Sequence, residues 1–122
     1  MKKPRPKLLP VSEQLKAWSA ALAAEAETWP GVTSRPMFGL MALYHGKRIF
    51  AALPRSRGLG TPNSLAFKLP APSPSTRKRL EAESRIHTTV MHASRWFSFE
   101  LSSDSDLRDA LAWLNRAYQA AK

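Results

Sequence analysis

The side chains that could support metal or acid–base chemistry are few and scattered along the chain. Its three histidines are His45, His87 and His92. His87 and His92 are five residues apart, a spacing that places them on one face of neither a helix nor a strand. No HExxH or Cys/His ligand pattern occurs, and the chain has no cysteine. The sequence therefore predicts no metal site and no cofactor.

The sequence also contains no recognisable arrangement of residues for nucleophilic catalysis or for catalysis by paired carboxylates. There is no G-x-S-x-G elbow and no S-x-x-K set, and the serines cluster in predicted turns and caps, where they have a local role. Apart from Glu100, which lies in a predicted strand, the carboxylates fall on predicted helix surfaces and caps. We therefore expect no catalytic residues and a non-enzymatic protein. An enzyme would require a pocket in which Tyr44, a histidine and a carboxylate converge.

Basic side chains dominate the remaining chemistry. The 122 residues include 19 Lys and Arg against 9 Asp and Glu, a net charge of +10. Such an excess favours polyanionic partners, although a solvated basic surface is an equally ordinary interpretation. No homeodomain, zinc-finger, basic-zipper or RNP pattern is present, so nucleic-acid binding would be phosphate-directed and sensitive to salt. The candidate nucleic-acid-binding residues are Lys2, Lys3, Arg5, Lys7, Lys47, Arg48, Arg55, Arg57, Arg77, Lys78 and Arg79.

The elements that must position these residues fit a single domain. Prolines alternate with like charges over residues 1–10, which predicts an extended, flexible basic arm. Residues 11–122 form the predicted domain. No stretch of about 18 apolar residues is present, and the basic N-terminus is not followed by an apolar run. We therefore expect no membrane association and a cytoplasmic protein.

Apolar periodicity predicts three helices. The first covers residues 12–29, with Ser12 as N-cap and Pro30-Gly31 as its end. A short helix covers 75–84, with Ser75 or Thr76 as cap, and the last runs over 107–121.

Turn residues and alternation predict the strands. Leu40–Tyr44 and Ile49–Leu53 flank His45-Gly46, which indicates a β-hairpin with Lys47 and Arg48 just past its turn. In the last strand, Ser98 and Glu100 are expected to face solvent. The other predicted strands are residues 65–69, 86–91 and 95–101. This order predicts a two-layer α+β fold, in which a mainly antiparallel sheet is packed against the N- and C-terminal helices.

The segment from Arg35 to Leu53 carries a family resemblance. Arg35-Pro36-Met37-Phe38-Gly39, then Leu43-Tyr44-His45-Gly46-Lys47 and Phe50-Ala51, resembles the R-x-M-F-G-G stretch and following hairpin of the TfoX N-terminal domain family. The strand Leu65–Leu69 and the C-terminal helix extend the likeness to residues 12–121, while Leu40 replaces the family's second glycine. From the residues alone, Met37 and Phe38 are interpreted as core side chains and Gly39 as the start of a hairpin.

The resemblance implies a regulatory or adaptor role, because TfoX proteins are associated with control of bacterial competence genes. The related YjbR-like proteins share a similar two-layer fold and are often labelled DNA-binding. The predicted function is thus a TfoX-like regulatory or adaptor protein that binds nucleic acid non-specifically through its basic surface. The alternative is a protein-interaction module or homodimer with no nucleic-acid role, which would use an open sheet edge or face.

Overall fold

The computed structural model describes residues 12–55, 63–88 and 95–121. These form three α-helices, a short 3₁₀ turn at Asp104–Asp106 and one six-stranded sheet, which confirms the predicted two-layer α+β class. In chain order the elements are α1 (Glu13–Ala26), β1 (Val32–Met37), β2 (Leu40–His45), β3 (Arg48–Pro54), β4 (Ser64–Lys68), α2 (Pro74–Ala82), β5 (Ile86–Thr88), β6 (Trp96–Glu100) and α3 (Leu107–Ala120).

The sheet is antiparallel throughout, in the order β1-β2-β3-β4-β6-β5. The first four strands form a meander, because each pairs with the next one along the chain. β6 then pairs with β4, and β5 closes the far edge. β1 pairs with β2 over its whole length, from Val32↔His45 to Met37↔Leu40.

All three described helices contribute to the core on one face of the sheet. Leu15, Trp18 and Leu22 of α1 are buried in it, as are Trp113 and Leu114 of α3, while α2 contributes Leu80 alone. The sheet side of this core is formed by alternate residues of the central strands. These include Leu43, Leu53, Leu65, Phe67 and Phe99, and Leu101, which directly follows β6, is buried beside them.

A β-bulge in β3 lets two adjacent residues enter that core. Leu43 pairs with Ala51 but Tyr44 pairs with Ile49, so Phe50 has no opposite residue on β2. Phe50 and Ala51 are both fully buried in the helix-side core, where Phe50 contacts the ring of Tyr118 edge-on at 5.8 Å. Strict alternation would have directed one of them to the other face.

On the face of the sheet opposite the helices, one residue from each strand forms a row across the sheet. Arg35, Ala42, Ala52, Ala66, Ser98 and His87 lie side by side across the six strands. The three alanines are outside the helix-side core, yet they are only 0, 5 and 8% exposed. The centre of this face is therefore shielded from solvent. Ser98 and Glu100, expected to face solvent, are half-buried on it.

Helix starts agree with the sequence at α1 and differ at α2. The Ser12 hydroxyl accepts a hydrogen bond from Leu15 N–H at 3.0 Å, as predicted for an N-cap. For α2 the prediction of Ser75 or Thr76 is wrong, because Ser73 Oγ accepts from Thr76 N–H at 3.2 Å and Pro74 begins the helix. Proline suits the first helical position, where its missing N–H costs nothing.

Candidate nucleic-acid interface

Four cationic side chains surround one hollow at the end of the central strands. The β2–β3 turn supplies Lys47, β3 begins with Arg48, β4 ends with Lys68, and Arg95 precedes β6. These elements meet at one end because each strand is antiparallel to the next. The hollow has a volume of about 370 Å³ and is also lined by Pro70 and the C-terminal end of α3. We call Lys47, Arg48, Lys68 and Arg95 the basic end cluster.

The charge of this cluster is uncompensated within the described chain. Its described lining contains no carboxylate, and none of the four cations forms an ion pair with a described residue. The C-terminal end of α3, which lines the hollow, contributes a negative potential equivalent to about half an elementary charge. Four positive charges outweigh it, so the hollow is an attractive position for an anion.

The turn that presents Lys47 differs by one residue from the prediction. His45 pairs with Arg48, so the two-residue loop is Gly46-Lys47 and Lys47 lies within it. Gly46 has φ of +64°, as the first position of a type II′ turn requires. His45 therefore ends β2 instead of forming the turn, and its ring stacks on Tyr118 with centroids 4.3 Å apart.

Arg77, Lys78 and Arg79 do not act as one patch. Consecutive helical residues are rotated by about 100°, so three in a row spread over more than half the helix circumference. Arg77 lines a hollow with Phe97, two residues along β6 from Arg95, whereas Arg79 lies in another with Glu83 and Asp109. Of this run, Arg77 shares a hollow with Phe97 of β6, the strand that Arg95 precedes.

Arg55 lies away from the basic end cluster. It follows the last residue of β3, whereas Arg48 is the first, a separation of about 20 Å along the strand. The predicted site residues Lys2, Lys3, Arg5, Lys7 and Arg57 lie outside the described residues. Of the predicted candidates, the structure thus brings together Lys47 and Arg48, and adds two residues that the sequence did not single out, Lys68 and Arg95. Both are isolated cations in the sequence, so no charge run marks them.

A second charged cluster, missed by the sequence reasoning, is centred on Arg85. Its guanidinium donates to Glu83 at 2.7 Å, to Asp106 at 2.7 Å and to Asp109 at 2.9 Å. It also lies 4.9 Å from the ring centroid of Phe99. All three carboxylates were expected on helix surfaces or as caps. Asp106 does accept from the N–H groups of the turn before α3, but it also accepts from a cation 21 residues away.

The pKa values of the carboxylates around Arg85 indicate a structural role for this cluster. Hydrogen bonding from Arg85 holds the pKa of Glu83 below its usual value. The pKa of Asp106 is lowered first by the Ser102 N–H and then by Arg85. A general acid at neutral pH needs the opposite shift. The cluster therefore stabilises ionised carboxylates and offers no proton donor.

The groups that an enzyme would require do not converge in the described chain. Tyr44 on β2 lies beneath the Arg35 guanidinium, 5.8 Å from its ring centroid. His87 on β5 faces Glu100 at 3.9 Å, but β2 and β5 are four strand spacings apart, about 19 Å. In residues 12–55, 63–88 and 95–121, no three His, Asp or Glu side chains are grouped so as to hold a metal ion.

Comparison of the chain with protein-family models, with curated proteins and with solved structures finds no match. The resemblance to the TfoX N-terminal domain therefore stays a prediction. Among the described helices, none has the length and apolar character needed to cross a bilayer.

Proposed function

We propose that this protein is a non-enzymatic, TfoX-like cytoplasmic regulator or adaptor that binds nucleic acid through phosphate contacts at the basic end cluster. The observation that carries the proposal is the convergence of Lys47, Arg48, Lys68 and Arg95 on one hollow without a described carboxylate. The net charge of +10 supports it, because long-range attraction brings a polyanion to such a surface.

The contacts expected from this cluster are sequence-independent. Lysine and arginine side chains on strand ends and turns reach phosphate oxygens, whereas base reading requires an element inserted in a groove. Neutralising phosphates releases counterions, so log K falls by about 0.9 per contact with duplex DNA as log salt rises. Four contacts predict a slope near −3.6 and a roughly 10²-fold loss of affinity between about 50 and 200 mM salt.

Fluorescence anisotropy with labelled duplex and single-stranded DNA over a range of salt tests this directly. The double variant Lys68→Ala/Arg95→Ala removes two members of the cluster and should reduce the duplex slope by about 1.8. The matched control is Lys78→Ala/Arg79→Ala, which removes the same charge from exposed positions on α2. The control should keep most of the slope.

Two outcomes would contradict the proposal. Absence of binding at low salt would mean that the charge serves solvation alone. An equal reduction of the slope in both double variants would mean that binding is a diffuse effect of net charge and has no site at the basic end cluster.

A further inference from the structure

The opposite end of the sheet carries an unusual exposed aromatic side chain. Met37 pairs with Leu40, so β1 and β2 are joined by the two-residue turn Phe38-Gly39. Both residues have positive φ, +49° and +84°, as a type I′ turn requires. Phe38 is 86% exposed, the one large apolar side chain so exposed in the described chain. The interpretation of Phe38 as a core residue is therefore wrong, because a tight turn directs it away from the sheet.

Among the described residues, no burial of the ring accounts for phenylalanine at this position. The left-handed region costs a residue with a side chain about 1–2 kcal/mol, and asparagine, aspartate and glycine are the residues that normally occupy it. Burial of the ring in the protein's own core would offset that cost, and Phe38 makes no such contact. Strained residues held without local compensation are concentrated at binding sites.

A hollow adjoins this turn. The N–H of Arg55 donates to the carbonyl oxygen of Gly39 at 3.1 Å, which attaches the rim of the hollow to the turn. Between α1 and the ends of β2 and β3, its described lining consists of Lys16, Ser19, Ala20, Ala23, Met41, Pro54 and Arg55. We call it the turn-side hollow. Its volume of about 210 Å³ is smaller than the range of about 300–1,000 Å³ for small-molecule sites and suits one anchoring side chain.

An unsatisfied polar group marks the same hollow. Ser19 is 6% exposed, and its hydroxyl is the one buried side-chain polar atom without a hydrogen-bond partner in the described chain. A buried hydroxyl normally finds a partner, because leaving it unpaired costs about 1–3 kcal/mol. Ser19 lines the hollow together with the apolar residues Ala20, Ala23 and Met41. Its oxygen is fully buried, so an inserted donor or acceptor would satisfy it once the Ser19 side chain turns toward the hollow.

The charge of the rim selects the partner. Lys16 and Arg55 flank the hollow, and its described lining contains no carboxylate. Among the described residues, Lys16 pairs with the exposed Glu13 at 3.2 Å. A second copy docking symmetrically would bring these cations against each other, which is unfavourable. From these contacts we propose that Phe38 and the turn-side hollow bind a segment of another protein that combines an apolar anchor with carboxylates. This site is independent of the basic end cluster, since β2 separates the two ends by about 17 Å.

The test uses peptides selected from a random phage-displayed library on the intact protein, with Phe38→Asn protein panned in parallel. Asparagine tolerates the left-handed turn conformation but removes the ring. Peptides enriched only on the wild-type protein should carry an aromatic or aliphatic residue beside Asp or Glu. A synthetic enriched peptide, measured by anisotropy, should bind Phe38→Asn about 30-fold or more weakly, as for a central interface anchor. Arg55→Gln should weaken it by about tenfold.

Controls separate this site from the nucleic-acid proposal and from misfolding. Phe38→Asn should melt no lower than the wild type and should retain any salt-dependent DNA binding, whereas Lys68→Ala/Arg95→Ala should bind the peptide normally. The proposal is overturned if both proteins enrich the same peptides, or if the enriched peptides lack carboxylates. It is also overturned if light scattering shows self-association that Phe38→Asn abolishes, because a second copy would then occupy the site.

Discussion

Arg85 Nη1 donates to Asp106 Oδ1 at 2.7 Å, joining the segment after α2 to the start of α3. The same guanidinium binds Glu83 from its own segment and Asp109 from the first turn of α3. Arg85 and Asp106 are both largely shielded, at 27% and 12% side-chain exposure. One cation thus holds three carboxylates close together, and it fixes the position of α3 relative to β5.

Replacing Arg85 with methionine should destabilise the protein substantially. The three carboxylates would lose their shared donor. A hydrogen bond to a charged group contributes about 1.5–3 kcal/mol, and water replaces part of the loss at the exposed Asp109. We expect a loss of roughly 2–3 kcal/mol in the free energy of unfolding, measured by urea denaturation near neutral pH. The matched control is Arg108→Met on the exposed side of α3, which should change stability by less than about 0.5 kcal/mol. Similar losses in both variants would show that the Arg85 contacts contribute little.

Stability should also fall in acid because of Glu83 and Asp106. Their pKa values are lowered in the folded protein, so the unfolded chain binds protons first as the pH falls. Their contribution is present above the ordinary carboxyl values near pH 4 and is lost as the pH falls through the lower folded values. Urea midpoints measured from about pH 6 down to pH 3 should decrease, and less steeply in Arg85→Met. An unchanged acid slope in that variant would exclude Arg85 as a cause.

Two turn glycines should respond differently to alanine. Gly31 and Gly46 both have positive φ, +77° and +64°, so each Ala variant carries the left-handed cost of about 1 kcal/mol. At Gly31 a Cβ would also lie 3.1 Å from His45 Cδ2, whereas at Gly46 it would meet nothing within 4 Å. Thermal melts should therefore rank Gly31→Ala as less stable than Gly46→Ala. The reverse order would mean that the His45 ring moves aside freely.

The hydroxyl of Tyr118 should contribute to stability through a long-range hydrogen bond. It donates to the Pro30 carbonyl oxygen at 2.7 Å, linking α3 to the turn after α1. Tyr118→Phe preserves the ring contacts with Trp29 and His45 and removes only this bond. We expect a loss of about 1 kcal/mol in urea unfolding. No change would indicate that water replaces the hydroxyl at the Pro30 carbonyl.

The cap of α2 can be located by two serine substitutions. Ser73→Ala removes the hydroxyl that accepts from Thr76 N–H and should cost about 1 kcal/mol. Ser75→Ala lies within the helix and should be nearly neutral, since alanine is the better helix former. Urea denaturation of both variants distinguishes them, and a larger loss at Ser75 would return the cap to the position that the sequence favoured.

Local sequence patterns predicted most of the secondary-structure elements. The first and last helices follow from apolar residues at helical spacing, and the Ser12 cap from its position before that series. The β2–β3 hairpin was predicted from two apolar runs around a glycine, although its turn is shifted by one residue. Two predictions were wrong for physical reasons: the burial of Phe38 and the position of the α2 cap. An apolar residue such as Phe38 is expected to be buried. Neighbouring serines are equally good cap candidates in the sequence, and only the backbone conformation determines which of them caps the helix.

The sequence by itself determined the α+β class, the positive charge and the presence of basic clusters, because these depend on composition and on neighbours along the chain. Only the tertiary structure decided which cations meet. The basic end cluster forms because adjacent antiparallel strands begin and end at the same end of the sheet, which brings together Lys47, Arg48, Lys68 and Arg95. The run from Arg77 to Arg79 is contiguous in sequence but is divided by helical rotation. Exposure of Phe38 was likewise decided by the two-residue turn, which requires positive φ and directs the side chain out of the core.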